Sequence, residues 1–567
     1  MQWLTRLHRI EHAGMPVYID QERPDWFVPS TRIDELLRAC HKHGNRAAGL
    51  AAFCDLRNEE PDRVGRDLRR LAQLLDQGAP RPYQGRHHHL RLGSLQEIWF
   101  HLTDTCNLSC VHCLFAASPS RKESMKRGRL HDAIDQATAL GTHLFYFTGG
   151  EPFVYPDFCQ TVDYVLQQDP AHHVAILTNG LLLQEHLAEL AAMDHERIHL
   201  QVSLDGLEEE HDFLRGRNAY SRLCVNLQAI VKAGLAFTVS VAVNNDNVER
   251  LDEIARQAHA LGASGLHLMY HFVQGKGTSA QFVPVVRLFS RIIKAAEVCQ
   301  ELGMKIDNLE AMKAQVFAVP GARFDLSNMA WESLAVAPDG TLYPSPALIR
   351  VEELACGHLD QGLADIWKNN LTLRKIRTIS QIDAGEERRR PLSLITGGGD
   401  PDHSWVSGHE LVGHDPYIDL YEQLALQLIT SQAMQYPDQG LFRLRMGDVR
   451  HDCPDTENGS DGSVRLTHCN CLVSLADSDG HSPVQEFYSA AARQANTEIV
   501  NPFHPAAGQD GYIPEEAKER SYGCGSPVKD AALKKGKLWW IWALAAGWSA
   551  FSPLLRSGPA GRSLVLI

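Results

Sequence analysis

The sequence predicts an α/β protein: a partial (βα)6 TIM-like barrel, preceded by a small N-terminal α+β domain and followed by an α+β C-terminal extension. Three observations predict it. From Leu95 onward, short apolar runs alternate with amphipathic stretches of helical length, the pattern of βα units in a parallel sheet. The residues that carry chemistry fall just after those apolar runs, at the strand C-termini where barrel and open α/β active sites lie. Beyond Phe324 the repeat stops, and a different pattern follows.

Residues 1–85 read as the small α+β unit, with an extended MPVYIDQERPDWFVP and amphipathic helices over Thr31 to His43 and Pro61 to Gln77. Residues 86–94 are expected to be a linker. His87, His88 and His89 there would point in different directions on an extended strand, which favours a solvated segment over a metal site. The barrel is expected over residues 95–305. Its strands are read at Gln96 to Leu102, His143 to Phe147, His173 to Leu177, Ile198 to Leu204, Ala236 to Val243 and Gly265 to Tyr270. The helices between them are read at Ser124 to Leu140, Phe158 to Gln168, Gln184 to Met193, Ser221 to Ala233 and Leu251 to Leu261.

In the extension, residues 306–390, LAVAPDGTLYPSPAL reads as a hairpin turning at Pro338, Asp339 and Gly340. Residues 391–510 match no familiar fold by periodicity; Glu386 to Pro416 looks loop-rich and Tyr417 to Gln435 helical. Residues 511–537 and 538–567 form two further segments.

Size and charge narrow the function. A chain of 567 residues calls for about three or four units. A formal charge of -14 argues against nucleic acid, whose non-specific affinity comes from neutralised phosphates. The N-terminus lacks an apolar run long enough for an export signal, so a cytoplasmic location is expected and no membrane partner. There, tightly spaced thiols signal metal or redox chemistry more often than disulfides.

The strongest motif is Cys106-x3-Cys110-x2-Cys113, immediately after the first barrel strand in WFHLTDTCNLSCVHC. Three thiolates can hold three irons of a cubane and leave the fourth open, as a reaction centre requires. A zinc site completed by His112 or His101 is the competing reading. The second motif is Thr148-Gly149-Gly150-Glu151-Pro152, after the apolar LFYF. Its glycines allow close backbone approach by a ligand, and Glu151 offers an acceptor to an ammonium group.

Together these motifs resemble the radical S-adenosylmethionine (SAM) superfamily over roughly residues 95 to 275. The resemblance implies that Cys106, Cys110 and Cys113 bind a 4Fe-4S cluster, that His112 lies near the adenine, and that Gly149, Gly150 and Glu151 bind the SAM amino group. Ser203 and Asp205 in VSLDG, and Arg215 in HDFLRG, match positions near the SAM ribose and carboxylate in peptide-modifying members. Thr178, Asn179 and Gly180 are further wall residues, with a helix cap as an equally simple reading. The implied activity is reductive cleavage of SAM to a 5'-deoxyadenosyl radical that abstracts hydrogen from a peptide or small-molecule substrate. A flavodoxin- or ferredoxin-type reductant is the implied partner.

LAVAPDGTLYPSPAL with the downstream ADIW resembles the SPASM-type extension of such enzymes. Ser345 stands where a cysteine is expected, and none occurs between Cys356 and Cys453, so a degenerate extension without auxiliary clusters is expected. Cys453, His468, Cys469 and Cys471 form a looser group, read as buried thiols before a metal site. The N-terminal unit weakly resembles the winged-helix peptide-recognition domain of peptide maturases, with an unrelated helical adaptor as the alternative.

Ile513 to Val528 resembles the segment before the SAM-binding glycines of arsenite methyltransferase-like enzymes, which raises an alternative function in arsenic or metalloid metabolism. The expected VVDLGSG-type strand does not follow. Instead the uncharged 538–555 is long enough for a membrane helix. Because Trp has one codon, Trp539 to Ala543 read two bases later gives Val, Asp, Leu or Met, then Gly. The tail is therefore expected to be out-of-frame peptide after a truncated methyltransferase segment, with Cys524 a relic. A non-catalytic iron-sulfur or zinc-binding module is the remaining class of answer.

Overall fold

The computed structural model describes residues 2–75, 82–449, 474–475, 555–557 and 562–564. The chain divides into two compact units, Met1–Leu475 and Ala476–Ile567. Within the second, Leu555–Ser557 pairs antiparallel with Arg562–Leu564. The Cys453, His468, Cys469 and Cys471 group, the methyltransferase-like segment with Cys524, and the apolar run 538–555 lie outside the described residues apart from Leu555.

The first unit begins with helix α1 (Gln2–Arg6) and strands β1 (Leu7–His12), β2 (Met15–Asp20) and β3 (Asp25–Pro29), followed by helices α2 (Thr31–His43), α3 (Arg46–Arg57) and α4 (Pro61–Leu75). Strand alternation gives this sheet two apolar faces. Tyr18 and Phe27 face the helices, whereas Val17, Ile19, Trp26 and Val28 join the main core. The indole of Trp26 donates to Val316 O at 2.7 Å.

The barrel strands are β4 (Glu97–His101), β5 (Leu144–Thr148), β6 (His173–Thr178), β7 (Ile198–Ser203), β8 (Phe237–Val243), β9 (Gly265–Tyr270) and β10 (Lys305–Ile306). All run parallel to their neighbours. Helices α5 (Arg127–Ala139), α6 (Phe158–Gln168), α7 (Leu187–Ala192), α8 (Glu208–Arg215), α9 (Ala219–Lys232), α10 (Leu251–Ala260), α11 (Val285–Glu301) and α12 (Asp307–Val316) separate or follow them. The six strands expected from the apolar runs are all present. The α/β partial barrel is therefore the observed fold.

The region after the barrel departs from the simple picture of an appended extension. After the short β11 (Arg323–Phe324), β12 (Ser333–Val336) pairs parallel with β4 and antiparallel with β13 (Leu342–Tyr343). The nine-stranded sheet thus runs β10-β9-β8-β7-β6-β5-β4-β12-β13. Strands of two or four residues are too short to display a period, so only the pairing reveals them. The hairpin turn at Pro338 to Gly340 is where the sequence puts it.

Beyond α13 (Leu363–Asn369) and α14 (Leu371–Thr378), the segment expected to be loop-rich contains α15 (Ser393–Thr396) and α16 (Pro401–Gly408). Asp400-Pro401 starts α16 as an N-cap with proline at the first helical position. Then α17 (Ile418–Ala433) leads to β14 (Phe442–Arg445), which pairs antiparallel with β3. A further short strand, β15 (Ser474–Leu475), pairs with β11.

The segment read as solvated linker differs in one residue. His88 and His89 are exposed, but Arg86 is buried and donates to the carbonyls of Ile379, Asp325, Ser327 and Ile376. Four nearby carbonyls, from chain far downstream, are what a sequence pattern of Pro, Gly and His does not reveal. Among the described residues, no helix is long and apolar enough to cross a membrane.

Candidate active site

The loop after β4 carries the cysteine triplet, and its backbone is fixed before any ligand is considered. Asp104 N–H donates to Glu123 O at 2.9 Å, Cys106 N–H to Ser118 O at 3.3 Å and Val111 N–H to Leu214 O at 3.0 Å. The buried Asp104 carboxylate accepts from Arg121 at 2.9 Å and also from Arg350, with His101 Nε2 3.0 Å away. Burial works against its charge, but His101, Arg350 and Arg121 outweigh that and hold Asp104 down at about 2.

The Gly149-Gly150 pair makes room for this loop. A Cβ on Gly150 would lie 2.3 Å from Thr105 O, and one on Gly149, at φ +144, 2.6 Å from Thr103 O. Gly150 N–H donates to Thr103 O at 2.6 Å and Glu151 N–H to Thr105 O at 3.1 Å. Read from the sequence, the glycines admit a ligand; in the structure they also admit the cysteine loop. A second clamp comes from the loop after β9. Gly275, at φ +64, leaves no space for a Cβ against Leu114 O at 2.1 Å, and Lys276 N–H donates to Cys113 O at 2.9 Å. Nothing in a lone GKG signals this contact.

A cavity of about 380 Å³ lies against the cysteine loop. Cys106, Cys110, Cys113, His112, Gly149, Gly150, Ser203 and Arg215 all line it, with Thr148, Thr178 and Asn179. Two expected ligands of SAM stand behind the wall instead. Glu151 is buried and accepts from Thr178 Oγ1 at 2.7 Å, Asn179 N–H at 2.8 Å and Phe153 N–H at 3.3 Å. Burial pushes its carboxyl up to about 7 against those donors. Asp205, also fully buried, accepts from Arg215 Nε at 2.5 Å and Ala242 N–H at 2.8 Å, with His112 Nε2 3.0 Å away. Burial opposes its charge, but Arg215 and His112 hold it well below the usual carboxylate range. Asp205 thereby orients two residues that do face the cavity.

The donor set fits an iron-sulfur cluster. Three free thiols sit on one loop, Cys106 buried and Cys110 and Cys113 half-buried. Leu108 N–H and Asn179 Nδ2 approach Cys106 Sγ at 3.4 and 3.8 Å, and donors of this kind tune a cluster sulfur. Burial pushes Cys106 up to about 12 and raises Cys110, so these are not thiolates on their own; metal binding deprotonates them. Nδ1 of His112 is buried with no hydrogen-bond partner.

Sequence reading missed the far side of the cavity. Trp99 and Tyr146 stack inside the barrel with centroids 3.6 Å apart. Glu97, Asp400, Asp402, His403 and Tyr421 also line it. For Trp99 and Tyr146, alternation along β4 and β5 was a usable signal; for Asp400 and Asp402 only the helix start was.

Comparisons with known proteins bear on the family. The family model of the radical SAM superfamily matches residues 100–258. The mycofactocin maturase MftC of Mycobacterium tuberculosis is 31% identical over 288 residues, which are 49% of this chain and 71% of that protein.

The chain belongs to the radical SAM superfamily.

It is an enzyme that uses a 4Fe-4S cluster and SAM. The subtilosin biosynthesis protein AlbA of Bacillus subtilis is 27% identical over 249 residues, 43% of this chain and 53% of that protein. The solved structure of anSMEcpe with bound AdoMet superposes with a TM-score of 0.50 at 14% identity, covering 60% of this chain and 96% of that one. At that identity the likeness concerns the fold. None of these relatives carries the arsenic or metalloid reading.

Proposed function

We propose that this radical SAM enzyme modifies a peptide substrate, with Cys106, Cys110 and Cys113 as the cluster ligands. The observation that carries the reading is that the three thiols sit on one clamped loop at the mouth of the first barrel strand and face the same cavity as Gly149 and Gly150. The cluster and SAM together supply, when bound, a 5'-deoxyadenosyl radical for hydrogen abstraction.

The chain's own residues bind, orient and exclude water. Asn179 and the Leu108 amide steady Cys106. Arg215, held by Asp205, offers a fixed guanidinium to a carboxylate, and Ser203 and His112 offer polar atoms to the ribose and adenine. Gly149 and Gly150 present backbone to the amino-acid moiety, and Glu151 stands directly behind as a buried acceptor. The stacked Trp99 and Tyr146 give the reaction chamber an apolar wall away from bulk water.

A peptide substrate is favoured because relatives along the matched region include a mycofactocin maturase, a bacteriocin biosynthesis protein and a sporulation killing factor maturation protein. The N-terminal sheet and helices are assigned to peptide recognition, and a flavodoxin- or ferredoxin-type protein to electron supply. The AdoMet-dependent heme synthase of Methanosarcina barkeri, 26% identical, keeps a small-molecule substrate as the second reading. Oxygen-free reconstituted protein given dithionite and SAM is expected to form 5'-deoxyadenosine, and Cys110→Ala to reduce it to background. A variant that still cleaves SAM would overturn the ligand assignment.

A further inference from the structure

The start of α6 and the start of α7 bring three metal-ligating side chains together apart from the cavity. Cys159 Sγ lies 3.7 Å from His186 Nδ1, and the same nitrogen lies 2.9 Å from Glu189 Oε2. One ligand atom from each of the three residues falls within 4.8 Å of the other two. None of the three lines the cavity against the cysteine loop.

Local structure accounts for the convergence. Cys159 is the second residue of α6 and is buried. His186 immediately precedes α7, and Glu189 follows it three residues on, the spacing that makes side chains neighbours on a helix. The imidazole is set against the Phe153 ring, with centroids 5.2 Å apart. The His186 and Glu189 side chains are 27% and 51% exposed, so the cluster is open to an ion from solvent.

Simpler roles account for only part of this. A buried thiol used as a small hydrophobe packs against hydrocarbon, whereas the Cys159 sulfur has an imidazole beside it. A nucleophile relay runs through the two different nitrogens of a histidine, one toward the thiol and one toward the carboxylate. Here both contacts fall on Nδ1, so the ring cannot pass a proton between them. Three donors converging on one point suit a cation instead. Ligand atoms about 2.0–2.3 Å from a tetrahedral zinc stand roughly 3.3–3.5 Å apart, so separations of 3.7 and 2.9 Å need only small shifts. Among the described residues no lysine or arginine pairs with Glu189, whose ion-pair partner is His186. Burial, with Glu189 adding to it, pushes the Cys159 thiol up to about 12, so a bound cation displaces the thiol proton to solvent.

We propose that Cys159, His186 and Glu189 form a Zn2+ site, with water as the fourth ligand, that clasps two loops of the active site together. Thiolate and imidazole select zinc over the hard cations magnesium and calcium. The clasp follows from chain order: α6 comes shortly after Gly149 to Glu151, and α7 shortly after Thr178 to Gly180. Those loops already meet through Glu151, which accepts from Thr178 Oγ1 and Asn179 N–H. The ion adds a second tie between them.

The test uses the full untagged chain with its cluster reconstituted without oxygen, so that Cys106, Cys110 and Cys113 are occupied before one equivalent of Zn2+ is added. Zinc-edge X-ray absorption should show one sulfur at about 2.3 Å and otherwise nitrogen and oxygen at about 2.0–2.2 Å. A count of two or three sulfurs would place the ion on other thiols and overturn the site. In competition with a chromogenic chelator, His186→Ala and Glu189→Ala should each weaken Zn2+ binding at least about tenfold. Glu189 is exposed, so its variant carries the test if His186→Ala fails to fold. Unchanged affinity in Glu189→Ala, or displacement of the zinc by excess Mg2+, would overturn the assignment. Zn2+ should also raise the thermal midpoint of the parent and not that of Glu189→Ala, and equal midpoints with and without zinc in the parent would remove the clasp.

Discussion

The two walls of the cavity treat buried carboxylates in opposite ways. On the cysteine side, Asp104 is surrounded by Arg121, Arg350 and His101, and Asp205 by Arg215 and His112; both are held below the ordinary range despite burial. Across the cavity, burial lifts Asp400 to about 6 and, with repulsion from Asp400, Asp415 to about 7. The first wall is electrostatically complete and serves as scaffold. The second carries no such cation beside its carboxyls, so they keep their protons to higher pH.

The sharpest way to break this contrast is Asp205→Ala. Removing one member of a buried pair leaves Arg215 unpaired, at a cost of about 3–5 kcal/mol. Denaturant unfolding should register that loss together with lower iron retention, because α8 carries both Arg215 and the Leu214 carbonyl that holds Val111. A loss under about 1 kcal/mol would show that the first wall is not held by charge.

Asp400→Asn should act with the opposite sign. The folded carboxyl, at about 6, lies above its unfolded value of roughly 3.9, so the native state holds the proton more tightly and stability falls as pH rises through that window. Asparagine keeps the cap on α16 and removes the buried charge. The variant should be more stable than the parent by on the order of 1–3 kcal/mol at pH 8, with the gain fading toward pH 4. Thermal melts at the two pH values decide it, and a variant less stable at pH 8 refutes the uncompensated-charge account.

Arg121→Ala should have the smallest effect. Its side chain is 38% exposed, and Asp104 retains Arg350 and His101, so a loss of about 1 kcal/mol or less is expected at pH 7. Asp104 is depressed to about 2, so its pairing stabilises above roughly pH 4 and is lost as pH falls through about 2. The deficit of Arg121→Ala in urea titrations should narrow accordingly as the medium is acidified. A loss as large as that of Asp205→Ala would mean that Arg350 does not share the load.

Much of this site was legible because its signals are local. Cys106, Cys110 and Cys113 fall within one loop, and Gly149 to Glu151 follow directly on an apolar strand. What was not legible depends on partners far away in the chain. Arg86 looked like part of a solvated tract until its carbonyl partners, some 240 to 290 residues downstream, were in place. Asp400 read as part of a glycine-rich loop because eight-residue α16 gives a weak period, and nothing nearby in sequence announces the cavity.

Strand alternation, helix periodicity and motif spacing determined by themselves the barrel, its strand order of appearance and the cysteine triplet, because those patterns are written between neighbouring residues. Tertiary structure alone decided that β12 flanks β4, that Glu151 and Asp205 stand behind the cavity surface, and that Glu97, Asp400 and Asp402 line it. Burial and charge compensation are properties of the whole packed set of neighbours, and those neighbours come from every part of the described chain.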